Sequence, residues 1–372
     1  MIPLNRPKIY NSNLDLDVLS ELRKVYQSEN IHYTFSARQA LDIVYRSIFK
    51  ERGKIIVYTT PLTCFEALYP IINNGHEILF GDINPITLNL ALDNLPNGYD
   101  AIQTVYLGGN PYDMSSVVNL VNKKNCILIE DCAQAFGSEY YGRPLGSFGH
   151  YAGFSFFKNL HSLGGGFLIS QIPLDFPKMS PSDYKIFLYR KAKRFLESKL
   201  TYNRSLTGYL YNLLISLKPD NTSTTFNTKT IDKRILRSII NQFSNWQLLI
   251  EKRIENALYV RSNIENKNLA PQAIPSSGTS SFTRLFYISK NLDTQTIVNR
   301  LRKFGIGANH LTQDSRITFQ KNVNDNPDFS RFARNSSLTN YLRIHDYVFS
   351  VPISASLKKT ELDYIIQKVN EL

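Results

Sequence analysis

Residues 126–170, CILIEDCAQAFGSEYYGRPLGSFGHYAGFSFFKNLHSLGGGFLIS, decide the fold. The stretch opens on an apolar run, Cys126 to Ile129, that ends in the acid pair Glu130 and Asp131. A short apolar run closing on a carboxylate has the pattern of a buried parallel strand, which delivers Asp131 to the C-terminal edge of a sheet. A second run, Tyr151 to Phe157, closes on Lys158; the glycines Gly164 to Gly166 follow, then a third run, Phe167 to Ser170. Two strand ends thus set an acid and a lysine on one edge of one sheet. Taken singly, such an Asp is most often a helix N-cap and such a Lys a solvated strand end. The ordered combination is what points to a site.

A lysine can form a Schiff base with a carbonyl compound, and a carboxylate can hold a protonated ring nitrogen. These are the two protein groups that pyridoxal phosphate needs. The stretch resembles the DegT/StrS family of sugar-nucleotide aminotransferases, which are fold type I pyridoxal-phosphate enzymes. That family's acidic-acidic-x-Ala-Gln/His-Ala segment is matched by Glu130 to Ala135, its Gly-Ser-Phe-Gly by Gly146 to Gly149, and its Phe-Ser-Phe by Phe154 to Phe156. Its Lys-Asn followed by Gly-Gly is matched by Lys158-Asn159 and Gly165-Gly166. One departure is clear: the family usually has Lys five residues after that Ser, whereas Lys158 is three after Ser155.

Upstream, Ser36 has the place of an N-cap for a helix beginning near Ala37, and a helix N-terminus aimed into a site can cradle a phosphate. The family has Ser-Gly/Ala-Thr here, with backbone amides on the cofactor phosphate; Ser36 and Ala37 match, and Arg38 replaces the Thr. Its Pro-x-x-Thr-aromatic segment is matched at Thr63, but Cys64 stands where the ring-stacking aromatic belongs and Phe65 is one place late. Strands are expected at 54–59, 77–81 and 101–106 and a helix at 14–27; alternating strands and helices indicate a doubly wound, mostly parallel sheet.

At 372 residues the chain implies more than one packed unit. The expected division is a large cofactor-binding domain at 1–176, a basic helical insertion at 177–225, and an interdomain helix with a small C-terminal α/β domain at 226–372. The content is 42% apolar and 20% charged, with no apolar run of membrane-spanning length. No signal-peptide core is present, and Cys64, Cys126 and Cys132 lack the spacing of a disulfide framework or a zinc site, which favours the cytoplasm and no metal. The net charge of +12 favours polyanionic partners, among which nucleic acid has no motif to support it.

The insertion carries Lys185, Arg190, Lys191, Lys193, Arg194, Lys199 and Arg204 among Leu, Phe and Tyr, at the spacing of two amphipathic helices broken near Gly208 and ended by Pro219. Such a face at 183–218 is read either as buried against protein, which is preferred, or as a peripheral membrane contact. Beyond it, Asn227-Thr228-Lys229 and Glu251-Lys252-Arg253 keep the spacing of the family's Asn-Tyr-Arg and downstream Arg cluster; that resemblance implies a homodimer whose partner subunit receives Asn227 at its cofactor phosphate. In the C-terminal part, a strand is expected at 281–288, a helix from Thr294 to Phe304, a further strand at 347–351, and a helix from 358 onward. Gly305-Ile306-Gly307 opens a loop with His310, which the resemblance places facing the substrate.

The resemblance implies amino transfer, with glutamate the expected donor, to a keto group of a nucleotide-linked sugar, in surface-polysaccharide or antibiotic sugar synthesis. Lys158 and Asp131 would be catalytic. Ala37, Arg38, Thr63, Asp131, Gln134, Ser155, Lys158 and Asn227 would hold pyridoxal 5′-phosphate. Two alternatives stand beside it: a dehydratase-like member, in which His161 would replace the lysine, and a non-catalytic member that binds a ligand or a membrane.

Overall fold

The apolar runs that flag strands in the sequence assemble into one eight-stranded sheet. The computed structural model describes residues 17–93, 95–160, 162–178, 180–181, 187–193, 229–310, 333–335 and 337–372. In chain order the elements begin with α1 (Val18–Tyr26), β1 (Ile31–Thr34), α2 (Ala37–Arg52), β2 (Ile56–Thr59), α3 (Phe65–Asn73), β3 (Glu77–Phe80), β4 (Ala101–Val105), α4 (Met114–Lys124), β5 (Ile127–Cys132), β6 (Glu139–Tyr140), β7 (Arg143–Pro144), β8 (Tyr151–Ser155), α5 (Phe156–Leu160) and β9 (Gly166–Ser170). After β10 (Ser180–Pro181) and β11 (Lys229–Thr230) come α6 (Lys233–Phe243), α7 (Trp246–Asn263), β12 (Leu269–Pro271), β13 (Gly278–Thr279), β14 (Leu285–Ser289), α8 (Thr294–Lys303), β15 (Asn309–His310), β16 (Ala333–Asn335), α9 (Thr339–Ile344), β17 (Val348–Val351) and α10 (Lys359–Asn370).

The sheet runs β1-β9-β8-β5-β4-β2-β3-β16, parallel from β8 to β16, with β9 antiparallel to both its neighbours. This is the expected doubly wound, mostly parallel sheet. Every residue of β5 is buried, as a strand covered on both faces requires. Its alternate side chains serve two cores: Ile127 and Ile129 pack with Leu41, Val44 and Leu68 of α2 and α3, whereas Leu128 and Cys132 join Leu22, Val117, Val121 and Ile235 of α1, α4 and α6.

A separate antiparallel sheet, β12-β14-β17-β15, forms a C-terminal α/β unit. Tyr287, Phe349 and Val351 of its strands pack against Val260 of α7, Leu301 of α8 and Ile365 of α10.

Two expectations on strand ends are corrected. The run Tyr151 to Phe157 does not stay extended to Lys158: β8 stops at Ser155, and Lys158 lies on α5. The Phe156 N–H still donates to the Gly165 carbonyl (3.0 Å), a last cross-strand bond to the chain before β9, and the backbone turns helical from there. The strand expected at 281–288 starts only at Leu285, because Ser281 and Thr283 are drawn into contacts with residues 134–138 and Gly108.

Of the basic insertion, residues 187–193 are helical, and 179, 182–186 and 194–225 lie outside the described residues. Within that turn, Phe187 packs on the main core and the Arg190 guanidinium lies 4.0 Å over the Phe35 ring, with Nη1 donating to the Leu163 carbonyl (3.4 Å). Arg190 is therefore held against protein. No helix among the described residues is long and apolar enough to cross a membrane.

Candidate functional site

Three structural consequences of the sequence converge on one cavity of about 250 Å³. First, β5 and β8 are parallel neighbours with Asp131 opposite Gly153, so Asp131 and Ser155 leave the sheet at the same edge. Second, Asp131 follows Ile127 and Ile129 on the face toward α2. Third, α2 begins at that edge, capped by Ser36, whose Oγ accepts from the Gln39 N–H (3.3 Å), and its first turn holds no acid. The cavity is lined by Ala37 and Arg38 of α2, Cys64 and Glu66 at the start of α3, and Asp131, Ser155 and Lys158.

Gly165 and Gly166 bring these parts together. The Gly165 N–H donates to the Phe35 carbonyl (3.2 Å) at a φ of +87°, which suits glycine. A Cβ on Gly166 would stand 2.2 Å from the Phe154 oxygen and 2.8 Å from the Ser36 carbonyl carbon, so only glycine lets β9 pass directly beneath the cap of α2.

Asp131 is 5% exposed. Its Oδ1 accepts from the Ala133 N–H (3.0 Å), and among the described residues no cation comes within 4 Å of it. Burial pushes its carboxyl above the usual carboxylate range; the attraction of Lys158 and the Ala133 amide oppose this without cancelling it. Lys158 is half-buried and makes no hydrogen bond or ion pair among the described residues. The Cys64 thiol is pushed up by burial and drawn back by Lys158.

The remaining sequence candidates are placed as follows. The Arg38 guanidinium pairs with Glu66 Oε2 (2.5 Å) and lies over Tyr69, so its side chain leans toward α3. Thr63 is buried beside Cys64 without lining the cavity. Gln134 does not line it either: its Oε1 accepts from the Gly108 N–H (3.1 Å) and the Thr283 hydroxyl (3.1 Å). His310, expected in a loop, is a buried residue of β15 paired with Phe349, in the C-terminal sheet. Asn227 and His161 lie outside the described residues.

Sequence reasoning missed the work of Glu130. It is fully buried and points to the opposite face from Asp131, where it accepts from the N–H groups of Gly146 (2.8 Å), Phe148 (2.8 Å) and Gly149 (2.6 Å) and from the Tyr106 hydroxyl. Burial raises its carboxyl above the usual carboxylate range, and these four donors offset that rise only in part. The Gly-Ser-Phe-Gly match is thus a loop folded around one carboxylate. The alternation of strand faces could have separated the two acids.

The donor set fits pyridoxal phosphate. A buried carboxylate lacking a cation in contact is suited to a protonated ring nitrogen, an unpaired amine shares its cavity, and a helix start without acids suits a phosphate.

The comparisons with known proteins bear on the family and the fold. GDP-perosamine synthase of Escherichia coli O157:H7 is 37% identical over 113 residues, covering 29% of this chain and 30% of the relative. UDP-4-amino-4,6-dideoxy-N-acetyl-beta-L-altrosamine transaminase of Campylobacter jejuni is 34% identical over 144 residues, covering 36% and 38%. The matched stretches span about a third of the length of these curated relatives. The crystal structure of the sugar aminotransferase CalS13 from Micromonospora echinospora superposes over 100% of both chains with a TM-score of 0.73 at 19% identity, so the chain has that fold. The model of the DegT/DnrJ/EryC1/StrS aminotransferase family matches residues 20–210, the half of the chain that builds the cavity, and the chain belongs to that family.

Proposed function

We propose that this chain is a pyridoxal-phosphate-dependent aminotransferase that moves an amino group, with glutamate as donor, to a keto group of a nucleotide-linked sugar. The observation that carries the reading is the meeting of Lys158, Asp131 and the start of α2 at one cavity. Bound there, pyridoxal phosphate supplies an electron sink that delocalises the charge left at a substrate carbon when its proton is removed. Asp131 Oδ would hold the proton on the ring nitrogen, which its buried and only partly compensated position favours. Lys158 Nζ is the covalent attachment point and the base that takes and returns the substrate proton. The amide at the start of α2 and the Ser155 hydroxyl orient the phosphate, and Arg38 adds positive charge at the rim, where Glu66 fixes its side chain. The relatives' names, a perosamine synthase and an aminosugar transaminase, support a nucleotide-linked sugar as acceptor. A homodimer in the cytoplasm, sharing Asn227 between sites, completes the reading.

The test is a spectrum of the purified chain with pyridoxal phosphate, followed by borohydride reduction and peptide mapping. Visible absorbance and label on the Lys158 peptide are expected. Label on another lysine refutes the assignment. Amino-group transfer from glutamate, assayed against nucleotide-linked keto sugars, then tests the substrate class.

A further inference from the structure

Arg253 of α7 is 2% exposed and has no carboxylate within 4 Å among the described residues. Its Nε donates to the Ser281 carbonyl (2.5 Å) and its Nη1 to the Asn159 carbonyl (2.9 Å), while Nη2 is buried without a hydrogen-bond partner. Burial draws its pKa down to about 10. A buried guanidinium with neutral partners is costly, and an apolar residue of similar length would fill the space without that penalty. The gain must come from what the two carbonyls belong to.

Asn159 is the residue after Lys158, and its carbonyl lies near the C-terminal end of α5. That helix has five residues, too few to be stable alone, and a cation at its C-terminal end complements its exposed carbonyls. The Asn159 amide ties the same turn to the Ser155 carbonyl (2.7 Å) and the Ala133 carbonyl (3.0 Å). Ser281, the other anchor, is joined through Ser138 to the segment that follows Asp131: its N–H donates to Ser138 Oγ (2.9 Å), and the two hydroxyls are 2.9 Å apart. We infer that Arg253 is a positioning residue: it clamps the Lys158-bearing turn to the C-terminal unit, so that Lys158 keeps its place relative to Asp131. Arginine is suited to this because its planar fork spans two carbonyls from separate segments, whereas a lysine ammonium reaches one. The catalytic consequence rests on the function proposed above; the clamp itself does not.

The experiment uses the full chain without cofactor and reads amide hydrogen exchange in the wild type, R253M and R253K. In R253M the amides of residues 156–160 exchange about tenfold faster, the change that ~1.4 kcal/mol of local opening represents, while those of α8 and β3 are unchanged. R253K is intermediate. Pyridoxal phosphate is then titrated by visible absorbance: R253M binds about tenfold more weakly and R253K recovers part of the loss, by the same conversion. Unchanged exchange at 156–160 in R253M overturns the inference, as does an equal rise in α8 and β3, which loss of packing alone would give. If R253M does not fold, the same comparison in R253K decides. A wild type that binds no pyridoxal phosphate refutes the proposed function and leaves the exchange result to decide the clamp.

Discussion

Asp131→Asn should make the cofactor-free chain more stable while removing the advantage that cofactor confers. The Asn oxygen can keep the bond from the Ala133 N–H, so the main local contact survives. What changes is the charge. Moving a carboxylate out of water carries an effective penalty of several kcal/mol. The nearest opposing charge, Lys158, is not within 4 Å, and at an effective dielectric near 20 even a 4 Å pair gives only about 4 kcal/mol. The carboxyl lies above its usual range, so burial outweighs attraction, and neutralising it is expected to stabilise the apoprotein by about 1 kcal/mol. The pH dependence has a definite sign. A carboxyl with a raised pKa in the folded state binds more protons there than when unfolded, so its contribution to stability falls as pH rises. The benefit of Asp131→Asn is therefore full above the folded pKa and disappears below the unfolded value of about 3.9.

Saturating pyridoxal phosphate reverses the order. Ligand at a hundred times its dissociation constant stabilises the wild type by about 2.7 kcal/mol, and a variant that binds more weakly gains less. Thermal or denaturant unfolding of both proteins, with and without pyridoxal phosphate, from acid to neutral pH, reads all of this. An apo Asp131→Asn that is 1 kcal/mol or more less stable than the wild type at neutral pH would refute the reasoning, because it would mean that the carboxylate is already compensated.

Gly166→Ala should destabilise by about 1–3 kcal/mol through collision with the Phe154 carbonyl and the Ser36–Ala37 peptide, and it should weaken pyridoxal phosphate binding in an absorbance titration; full affinity would show that the cap of α2 is not the cradle. Glu130→Gln sets an amide donor against N–H groups that now face a carboxylate, so it should lose about 2–4 kcal/mol in denaturant unfolding, whereas a loss below 0.5 would mean that the 146–149 loop holds itself. Arg190→Met should cost about 0.5–2 kcal/mol in thermal unfolding by removing the cation over Phe35, with no change in sedimentation with anionic vesicles; a drop in vesicle binding would put this residue at a membrane.

The sequence made legible whatever depends on neighbours in the chain. Buried runs beginning at Cys126 and Tyr151 marked two strands of a parallel sheet and hence the edge where the site forms, and Ser36 marked the start of α2. What it hid depends on contacts made across the fold. FSFFKN has the composition of a strand throughout, yet the chain turns helical after Ser155, where the Asn159 amide reaches back to the Ser155 carbonyl and across to the Ala133 carbonyl. Gln134 matches a position at which the resemblance implies cofactor binding, yet Gly108 and Thr283, far away in the chain, hold its oxygen. Arg253 and Lys252 are adjacent basic residues of one helix, and the sequence does not say that the first is buried between two carbonyls while the second lies on the surface near Glu255.

Glu130 and Asp131 state the limit most sharply. They are adjacent acids on a wholly buried strand, so composition and burial predict the same behaviour for both. Strand alternation sends them to opposite faces, and the faces differ in their supply of donors: four groups converge on Glu130, one backbone amide on Asp131. A fully solvated carboxylate would have no use for either arrangement. Burial raises both carboxyls, but the first gathers four donors into a structural centre, and the second, with one amide and the attraction of Lys158, is left to face the cavity. The same strand therefore builds the loop that supports the sheet edge and the acid, held by a single backbone amide, that makes this edge a site.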